Sequence, residues 1–423
     1  MDRAELIRLL NVPSAAGEPR DVVVCAQDPR AFIESFGQAV AAGGNVFLAD
    51  PAWGETERAQ FAAIRARGKN GTRRNGEPMS EEGWLCIPTG GSSGAIKLAR
   101  HDESTLAAAV RGFSEFFEVK RVNAVGLLPL HHVSGLMAWM RCVMSGGEYV
   151  AWSWRELEAG GRPRLPEGDV FLSLVPTQLD RLLRQPEAID WMHRFRAVFI
   201  GGGPAWPELV ERGAAADLPL AFSYGMTETA AMVTALKPED FLSGVRGSGH
   251  PLPHARVEVD DDGRITIDAA SLFRGYWPGT RASGAWSPGD LGAFDAAGSL
   301  HIRGRADALI ISGGEKIDPA EVEAALRATG RFSDIAVLGL PDAEWGARVV
   351  AFHPAADGAV EAGDVESHLD GKLARYKWPK TYVPVTEWPR NAQGKLMRER
   401  LRDQVGSAVP SRPGLSASTE SGT

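Results

Sequence analysis

Residues 89–94 consist only of Thr, Gly and Ser, and a lysine follows three residues later. Glycine permits backbone conformations and close approaches that other residues do not. Successive backbone N–H groups, hydroxyls and a nearby ammonium form a concave site for an anion. The segment lacks the Gly-Lys-Ser/Thr ending of the Walker loop, and a plain turn is the alternative to a phosphate site. The candidate phosphate ligands are Thr89, Gly90, Gly91, Ser92, Ser93, Gly94 and Lys97.

A second polar cluster, Ser-Tyr-Gly-Met-Thr-Glu-Thr, occupies residues 223–229 after an apolar run. The ring of Tyr224 can stack on a flat heterocycle. The hydroxyl of Thr227 can donate to a phosphate oxygen, and the carboxylate of Glu228 offers the oxygen ligands that Mg²⁺ prefers. The alternative interpretation is a well-capped helix N-terminus, which the cluster taken alone does not exclude.

Single residues further along the chain add to this set. Asp290 follows a Pro-Gly pair, where its carboxylate could accept both hydroxyls of a ribose or simply belong to a turn. Arg305 and Asp307 flank an expected domain junction, and Gly313 and Gly314 form another pliable loop. Lys395, taken alone, is a surface charge.

The elements that must position these residues are strands that alternate with helices. Short apolar runs at 21–29, 45–51, 124–130, 170–176, 197–204 and 220–225 each end in glycine, proline or polar residues. This order predicts a parallel sheet covered by helices, with ligands bound beyond the carboxyl ends of its strands. The polar clusters follow such strands.

Beyond residue 249 the pattern changes to alternating runs joined by turn residues, which predicts antiparallel hairpins in a small barrel or side sheet. From residue 305 a smaller α+β unit is expected. Its first helix should begin at Asp318 as N-cap, with Glu321 completing a capping box, and end at Gly330. A second helix is expected over 363–379. We therefore predict an α/β fold with a large N-terminal domain over 1–304, a smaller C-terminal domain over 305–405, and a disordered tail over 406–423.

Composition excludes several classes of protein. The chain of 423 residues has 46 basic and 54 acidic side chains, a net charge of −8 and no basic stripe, so nucleic acid is not an expected partner. Its three cysteines, Cys25, Cys86 and Cys142, include no Cys-x-x-Cys and are expected to be buried. The first residues lack the apolar core of a signal peptide, and no apolar run reaches membrane-span length. A cytoplasmic protein without membrane insertion is expected; a homo-oligomer stays open.

The order and spacing of these clusters from about residue 85 to 402 resemble the adenylate-forming superfamily, which includes acyl-CoA synthetases, peptide-synthetase adenylation domains and luciferases. Within it the chain is most similar to the o-succinylbenzoate–CoA ligases of menaquinone and phylloquinone biosynthesis. That similarity lies in residues 128–141, 173–183 and 247–253, and in the short region before the phosphate loop. The fold, the activity and the roles given next are what this resemblance implies.

The resemblance implies an AMP-forming acid–CoA ligase that uses ATP, Mg²⁺ and coenzyme A. ATP first adenylates the acid, and CoA then displaces AMP. Residues 89–94 and Lys97 would hold the triphosphate, Thr227 the α-phosphate, Glu228 the Mg²⁺, and Asp290 with Arg305 the ribose. The nucleotide would also contact Gly201, Gly202, Gly203, Pro204, Ser223, Tyr224, Gly225 and Met226.

The family also implies a mobile C-terminal domain that rotates between the two half-reactions. Asp307 matches the hinge. Lys395 would bridge carboxylate and phosphate oxygens during adenylation and move away afterwards, when Gly313 and Gly314 would line the channel for the pantetheine arm of CoA. The family's phosphate loop ends Gly-x-Pro-Lys-Gly, whereas this chain reads Gly-Ala-Ile-Lys-Leu over 94–98.

The expected substrate is a small aromatic or keto acid, with o-succinylbenzoate first. His132 matches the family's histidine at the mouth of the acid pocket, whereas His131 is expected to face the core or solvent. Further lining candidates are Ser134, Gly135, Gln178 and Gly203. Candidates for the second carboxylate are Thr177, Gln178 and Arg246, of which Arg246 could equally be a surface residue. The alternatives are a ligase for another aryl or short acyl acid, a carrier-loading adenylating enzyme, and a non-catalytic adenylate-binding relative.

Overall fold

The structure is a computed structural model that describes residues 1–13, 18–68, 83–90, 96–281, 283–360, 362–390 and 396–405. Contacts between Cα atoms divide the described chain into one unit that ends at Ala308 and a second that begins at Leu309. Each unit has its own hydrophobic core. The two units are described separately.

The first sheet of the large unit carries the phosphate-loop candidates. Its strands lie in the order β1-β2-β3-β4; β1, β2 and β3 are parallel, and β4 is antiparallel to β3. The helix between β1 and β2 begins at Pro29, inside the run 21–29 expected to be a strand, because Asp28 accepts a hydrogen bond from the N–H of Ala31 and a proline occupies the first turn. The elements are α1 (Arg3–Leu9), β1 (Arg20–Val24), α2 (Pro29–Ala41), β2 (Gly43–Leu48), α3 (Glu55–Gly68), β3 (Leu85–Gly90) and β4 (Ile96–His101).

The second sheet follows the predicted alternation of strands and helices. Its order is β11-β10-β9-β8-β7-β5-β6, and the segment from β9 to β6 is parallel. The central strands β7 and β8 are almost entirely buried, as their continuous apolar sequences require. The elements are α4 (Glu103–Phe116), β5 (Asn123–Gly126), α5 (Val133–Ser145), β6 (Tyr149–Ala151), α6 (Trp154–Glu158), β7 (Val170–Leu174), α7 (Pro176–Leu182), α8 (Pro186–Met192), β8 (Ala197–Ile200), α9 (Pro207–Ala215) and β9 (Leu220–Met226).

The remaining strands of the large unit are antiparallel, as the hairpin signals predict. β10 runs back along β9, and β12 pairs with β13 across an Asp-Asp-Gly turn. β14 begins at Asp290 and pairs with β15, which ends at Arg305. These elements are β10 (Ala231–Ala235), α10 (Pro238–Leu242), β11 (His250–Pro251), β12 (Ala255–Val259), β13 (Ile265–Ala269), β14 (Asp290–Phe294) and β15 (Leu300–Arg305).

The second unit has an α+β arrangement. β19 is the middle strand of its sheet, antiparallel to β18 and parallel to β20, and α11, β16 and α13 pack against β18 or β19. The elements are β16 (Ile310–Ser312), β17 (Glu315–Ile317), α11 (Pro319–Arg327), β18 (Ala336–Asp342), β19 (Gly346–Pro354), α12 (Ala362–Leu369), β20 (Thr381–Val385) and α13 (Arg398–Val405). The predicted α/β class, with a large first part and a smaller α+β part, is confirmed.

Three local predictions need correction. Asp318 does cap α11 by accepting from the N–H of Ala320, but Glu321 forms no capping box because its carboxylate binds Lys377 at 2.6 Å. The helix expected over 363–379 ends at Leu369, and a short 3-10 turn follows it. Cys86 and Cys142 are buried as expected, whereas Cys25 is exposed. The tail predicted to be disordered, 406–423, lies outside the described residues.

Candidate functional site

The phosphate-loop candidates lie between two paired strands. Thr89 in β3 is the register partner of Lys97 in β4, and Gly90 is the partner of Ile96. Both ends of the loop are therefore held by one antiparallel ladder. Gly91, Ser92, Ser93 and Gly94 lie outside the described residues, and so does Lys395.

Lys97 and Glu228 both contact the side chain of Tyr276. The hydroxyl of Tyr276 donates to Oε1 of Glu228 at 2.6 Å, and Nζ of Lys97 lies 5.2 Å from the centroid of the Tyr276 ring. Glu228 lies in a 3-10 turn directly after β9 and is buried. Burial and the neighbouring Glu228 raise the pKa of Tyr276, so this hydroxyl keeps its proton and remains a donor. A carboxylate held in this way is suited to a magnesium ion.

A second polar chain joins β9 to the end of β15. The hydroxyl of Tyr224 donates to Oδ2 of Asp290 at 2.5 Å, and Nη1 of Arg305 lies 3.3 Å from Oδ1 of Asp290. Arg305 also donates to both carboxylate oxygens of Asp307, at 2.8 and 2.9 Å. Hydrogen bonding to Asp307 raises the pKa of Arg305. The structure thus brings together the adenine, ribose and hinge candidates that lie far apart in sequence.

His101 fixes the backbone beside the phosphate candidates. Its Nε2 lies 2.8 Å from the carbonyl oxygen of Thr227, to which it donates, and its Nδ1 lies 3.1 Å from Oγ1 of Thr105. Burial lowers the pKa of His101 to about 4, so the ring is neutral at pH 7. The next residue, Asp102, caps α4 and binds Arg274 at 2.6 Å. These contacts tie β4 to the 3-10 turn that carries Thr227.

A cleft opens where β7, β8 and β9 end. Its position matches the rule that ligands bind beyond the carboxyl ends of parallel strands. A second, smaller cavity shares Arg141, Ser173 and Phe199 with it. The predicted residues that line the cleft are Ser134, Gly201, Gly202, Ser223 and Gly225.

A buried guanidinium forms part of the wall of both cavities. Arg141 is 4% exposed, and its Cζ lies 4.3 Å from the centroid of the Phe113 ring. Its Nε makes no hydrogen bond, and no carboxylate of a described residue pairs with it. Burial lowers its pKa to about 10, which leaves the group cationic at pH 7. Because an unpaired buried charge is strongly unfavourable, this arginine is suited to receive an anion.

The residues of α5 that reach the cavities lie on one face of the helix. Ser134 lines the larger cleft, Ala138 the smaller cavity, and Arg141 both. Their spacing is i, i+4 and i+7, which places them one above another on an α-helix. One face of α5 therefore contributes to the walls of both cavities and carries the buried cation.

The two histidines directly before α5 lie close to the carboxylate of Asp50, which follows β2. Nε2 of His131 lies 3.3 Å from Oδ1 of Asp50, and Nε2 of His132 lies 3.7 Å from Oδ2. Burial and the neighbouring His131 lower the pKa of His132 to about 3. For Asp50, burial opposes ionisation, but the two neighbouring histidines and the hydrogen bond from the N–H of Ala52 outweigh it and lower its pKa. His131 was expected to face either the core or solvent, and it is buried. His132 is partly exposed.

Other candidates have structural contacts or lie elsewhere. A Cβ on Gly135 would meet the carbonyl oxygen of Pro129 at 2.3 Å, so glycine is required there for packing. Gln178 Oε1 accepts from the N–H of Val175 and caps α7, of which Thr177 is the second residue. Gly203, Pro204, Tyr224 and Met226 are not among the residues that line the cleft.

Three more candidates, Arg246, Gly313 and Gly314, do not line the cleft. Arg246 binds Glu211 at 2.9 Å and donates to the carbonyl of Phe241, so it belongs to a surface ion pair, which was the predicted alternative to binding a ligand carboxylate. Gly313 and Gly314 form the turn between β16 and β17, both with positive φ. A Cβ on Gly313 would lie 2.8 Å from the side chain of Trp345. Both this close contact and the positive φ favour glycine at that position.

Sequence inspection missed Arg141, Tyr276 and His101. Arg141 did carry a signal, because it is the one charged residue in the otherwise apolar α5 sequence Val-Ser-Gly-Leu-Met-Ala-Trp-Met-Arg-Cys-Val-Met-Ser. A charge on an apolar helix face is costly unless something compensates it. His101 and Tyr276 gave no comparable signal, since their partners lie 126 and 48 residues away.

The chain is similar in sequence to known AMP-binding enzymes. The model of the AMP-binding enzyme family matches residues 17–277, and that of the AMP-binding enzyme C-terminal domain matches 321–395. A 2-succinylbenzoate–CoA ligase of Listeria monocytogenes is 35% identical over 285 residues, which are 66% of this chain and 60% of that protein. One of Enterococcus faecalis is 31% identical over 340 residues, 76% of this chain and 69% of that protein. The chain spans about 60% of the length of the first curated relatives it matches.

Solved structures share the fold. The o-succinylbenzoate CoA synthetase of Bacillus subtilis, in complex with the acyl-adenylate intermediate, has a TM-score of 0.76 at 24% identity and covers 95% of this chain and 91% of its own. ATP-bound MatB from Rhodopseudomonas palustris has a TM-score of 0.74 at 24% identity, with 96% and 93% covered. At these identities the likeness establishes the fold alone. None of the helices in the described ranges has both the length and the apolar character needed to cross a bilayer.

Proposed function

Because this chain belongs to the AMP-binding enzyme family, we propose that it is an ATP-dependent, AMP-forming acid–CoA ligase. The acid would first be activated as an acyl-adenylate and then transferred to the thiol of CoA. Its preferred acid is o-succinylbenzoate, a small aromatic keto acid with two carboxylates. This assignment places it in menaquinone or phylloquinone biosynthesis and accords with the names of the relatives described above.

The contacts around Tyr276 and Asp290 support a proposed nucleotide site. Thr89 and Lys97 would hold the phosphates from two paired strands, together with residues 90–94. Glu228, oriented by Tyr276, would carry Mg²⁺, which neutralises charge on the phosphate oxygens when bound. Asp290, held by Tyr224 and Arg305, would accept the ribose hydroxyls. Thr227, whose carbonyl is held by His101, would donate to the α-phosphate.

The predicted C-terminal domain, 305–405, is proposed to supply the remaining groups. Lys395 would stabilise the oxygens of the adenylation step, and Gly313 with Gly314 would line the pantetheine path. Asp307 lies two residues before the unit boundary at Leu309, which supports its role as hinge. The charge that grows on oxygen in the first step is the reason why such a cation must be present.

One observation carries the choice of a diacid. Arg141 is a buried cation without a carboxylate partner among the described residues, and it lies in the wall of the cleft where β7, β8 and β9 end. The ring carboxylate of o-succinylbenzoate would pair with this guanidinium, while the succinyl carboxylate reacts. The aromatic ring would lie against Phe199, which lines the same cavities. A simple fatty acid would leave the arginine unpaired.

The test compares two acids that differ in one carboxylate. Pyrophosphate release and CoA-thioester formation are measured with o-succinylbenzoate and with 3-benzoylpropionate, which lacks the ring carboxylate. In wild-type protein kcat/KM should be higher for the diacid. In Arg141→Met it should fall on the order of 10²–10³-fold for the diacid, because loss of one member of a buried charge pair costs about 2–5 kcal/mol. For the monoacid it should stay the same or rise.

A matched control is Arg246→Met, which removes an arginine that is paired on the surface. It should alter neither acid. Equal losses for both acids in Arg141→Met would contradict the proposed recognition of the second carboxylate. No turnover of any aromatic acid in wild-type protein would contradict the ligase assignment itself.

A further inference from the structure

Three potential metal ligands converge where β2 leaves the first sheet and α5 begins. Asp50 comes two residues after the end of β2, and His131 and His132 come directly before α5. One ligand atom from each of the three residues lies within 4.8 Å of the other two. The cluster is largely buried: the side chains of Asp50, His131 and His132 are 11%, 7% and 21% exposed.

His131 is not satisfied by its neighbours. Its Nε2 is buried and makes no hydrogen bond with any described residue, although Oδ1 of Asp50 lies only 3.3 Å away. A buried ring nitrogen ordinarily finds an aligned partner. Proximity without an aligned hydrogen bond is the relation between two ligands of one cation, because each atom is then directed at the ion and not at the other ligand.

We propose that Asp50, His131 and His132 bind a transition-metal ion of the Zn²⁺ class. Ligands about 2.0–2.1 Å from a tetrahedral zinc lie about 3.3–3.4 Å apart. The observed separations of 3.3 Å and 3.7 Å between the histidine nitrogens and the Asp50 oxygens are close to this value. The three groups leave one position of the tetrahedron for water or another small ligand.

The chemistry of the donors distinguishes this site from that of the nucleotide. Imidazole nitrogen suits zinc and its neighbours in the transition series, whereas Mg²⁺ takes oxygen ligands such as the carboxylate of Glu228. Oδ1 of Asp50 also accepts a hydrogen bond from the N–H of Ala52 at 2.8 Å, which fixes its orientation as an outer-shell contact does in metal sites. The ion would join the segment after β2 to the start of α5.

The experiment measures metal binding without ATP, acid or CoA, so it is independent of the proposed ligase activity. EDTA-dialysed full-length protein is titrated with Zn²⁺ against a chromophoric chelator, and with Co²⁺ to record the visible spectrum of tetrahedral cobalt. Wild-type protein should bind one ion per chain and melt at a higher temperature when zinc is added. His131→Phe and Asp50→Asn should each weaken binding by more than the roughly 10–100-fold that loss of an outer-shell partner costs.

The matched control is His301→Ala. His301 also lies beside a carboxylate, at 2.9 Å from Asp295, but the described residues offer no third ligand there. This variant should bind zinc as wild-type protein does. Circular dichroism of the metal-free variants checks their folding, and either ligand variant that folds is decisive. Absence of a stoichiometric site in wild-type protein, or unchanged affinity in a folded ligand variant, would overturn the proposal.

Discussion

The hydroxyl of Tyr224 donates a 2.5 Å hydrogen bond to Oδ2 of Asp290, a residue 66 positions further along the chain. The bond crosses from the end of the parallel strand β9 to the first residue of the antiparallel strand β14. Arg305 approaches the other oxygen of the same carboxylate. Asp290 is therefore held from two sides before any nucleotide arrives, which reduces the ordering needed for a ribose to bind.

The first prediction follows from this bond. Tyr224→Phe keeps the ring but removes the hydrogen bond to Oδ2 of Asp290. We expect KM for ATP to rise about 10-fold, since a hydrogen bond to a charged group contributes about 1.5–3 kcal/mol and part of the orientation survives. KM for the acid should change little. Tyr382→Phe, which removes a hydroxyl from β20 in the other unit, is the control; equal effects of the two changes would refute a specific role for Tyr224.

A second prediction concerns magnesium. Glu228→Gln should lower kcat on the order of 10²–10³-fold, because it removes a charge that is proposed to hold the ion. Tyr276→Phe should retain more activity but shift the Mg²⁺ concentration for half-maximal rate upward by about 10–100-fold, as expected for an outer-shell contact. Pyrophosphate release measured across a magnesium series separates the two. An unchanged magnesium requirement in both variants would exclude Glu228 as the ligand.

The third prediction separates the half-reactions. Lys395→Ala should abolish acyl-adenylate formation from ATP while sparing thioester formation from a supplied acyl-adenylate. The reason is that the lysine is proposed to stabilise charge only during adenylation. Lys372→Ala, a change at an exposed lysine of the same predicted domain, should spare both steps. Loss of both steps to the same extent in Lys395→Ala would contradict this division of roles.

The fourth prediction is a pH dependence of stability. Burial lowers the pKa of His101 to about 4 in the folded protein, against about 6.5 when unfolded. Between these values the unfolded chain binds the proton more readily, so this contribution is complete above pH 6.5 and is lost as pH falls toward 4. From pH 7 to pH 5 the loss at His101 should be about 2 kcal/mol.

Urea unfolding at both pH values, followed by circular dichroism, measures this effect. The free-energy difference between wild-type protein and His101→Asn should shrink by that amount at pH 5. His132 and His254 have lowered pKa values too, so part of the acid sensitivity should persist in the variant. His193→Asn, at an exposed histidine, should leave the slope unchanged. A constant difference between His101→Asn and wild-type protein would contradict the neutral buried ring.

Much of the architecture followed from local sequence patterns. The buried strands β7, β8 and β9 are continuous apolar runs with clear ends, and the Asp-Asp-Gly turn identified the β12–β13 hairpin. The family follows from motifs in a fixed order, and the family models that match the chain confirm it. The residue roles within those motifs stay predictions.

The contacts that orient the site could not be predicted in the same way. Tyr276 reaches Glu228, and His101 reaches the carbonyl of Thr227, only because distant strands end at the same edge. Glu321 suits a capping box by its spacing, yet Lys377 competes successfully for its carboxylate. The apolar sequence of α5 distinguishes Arg141, but only the structure shows that Arg246 belongs to a surface ion pair whereas Arg141 is buried.

The face of α5 that bears Ser134, Ala138 and Arg141 has a consequence for how specificity could change. Because all three residues belong to one α-helix, the spacing between Ser134 and Arg141 is fixed by the helical rise and not by loop conformation. On the proposed function, this face sets the length and the charge of the acid that fits. A bulkier residue at position 138 would select a shorter acid, and a neutral residue at position 141 would select an acid without a second carboxylate. Single substitutions along one helix could therefore change the preferred acid without altering the nucleotide site.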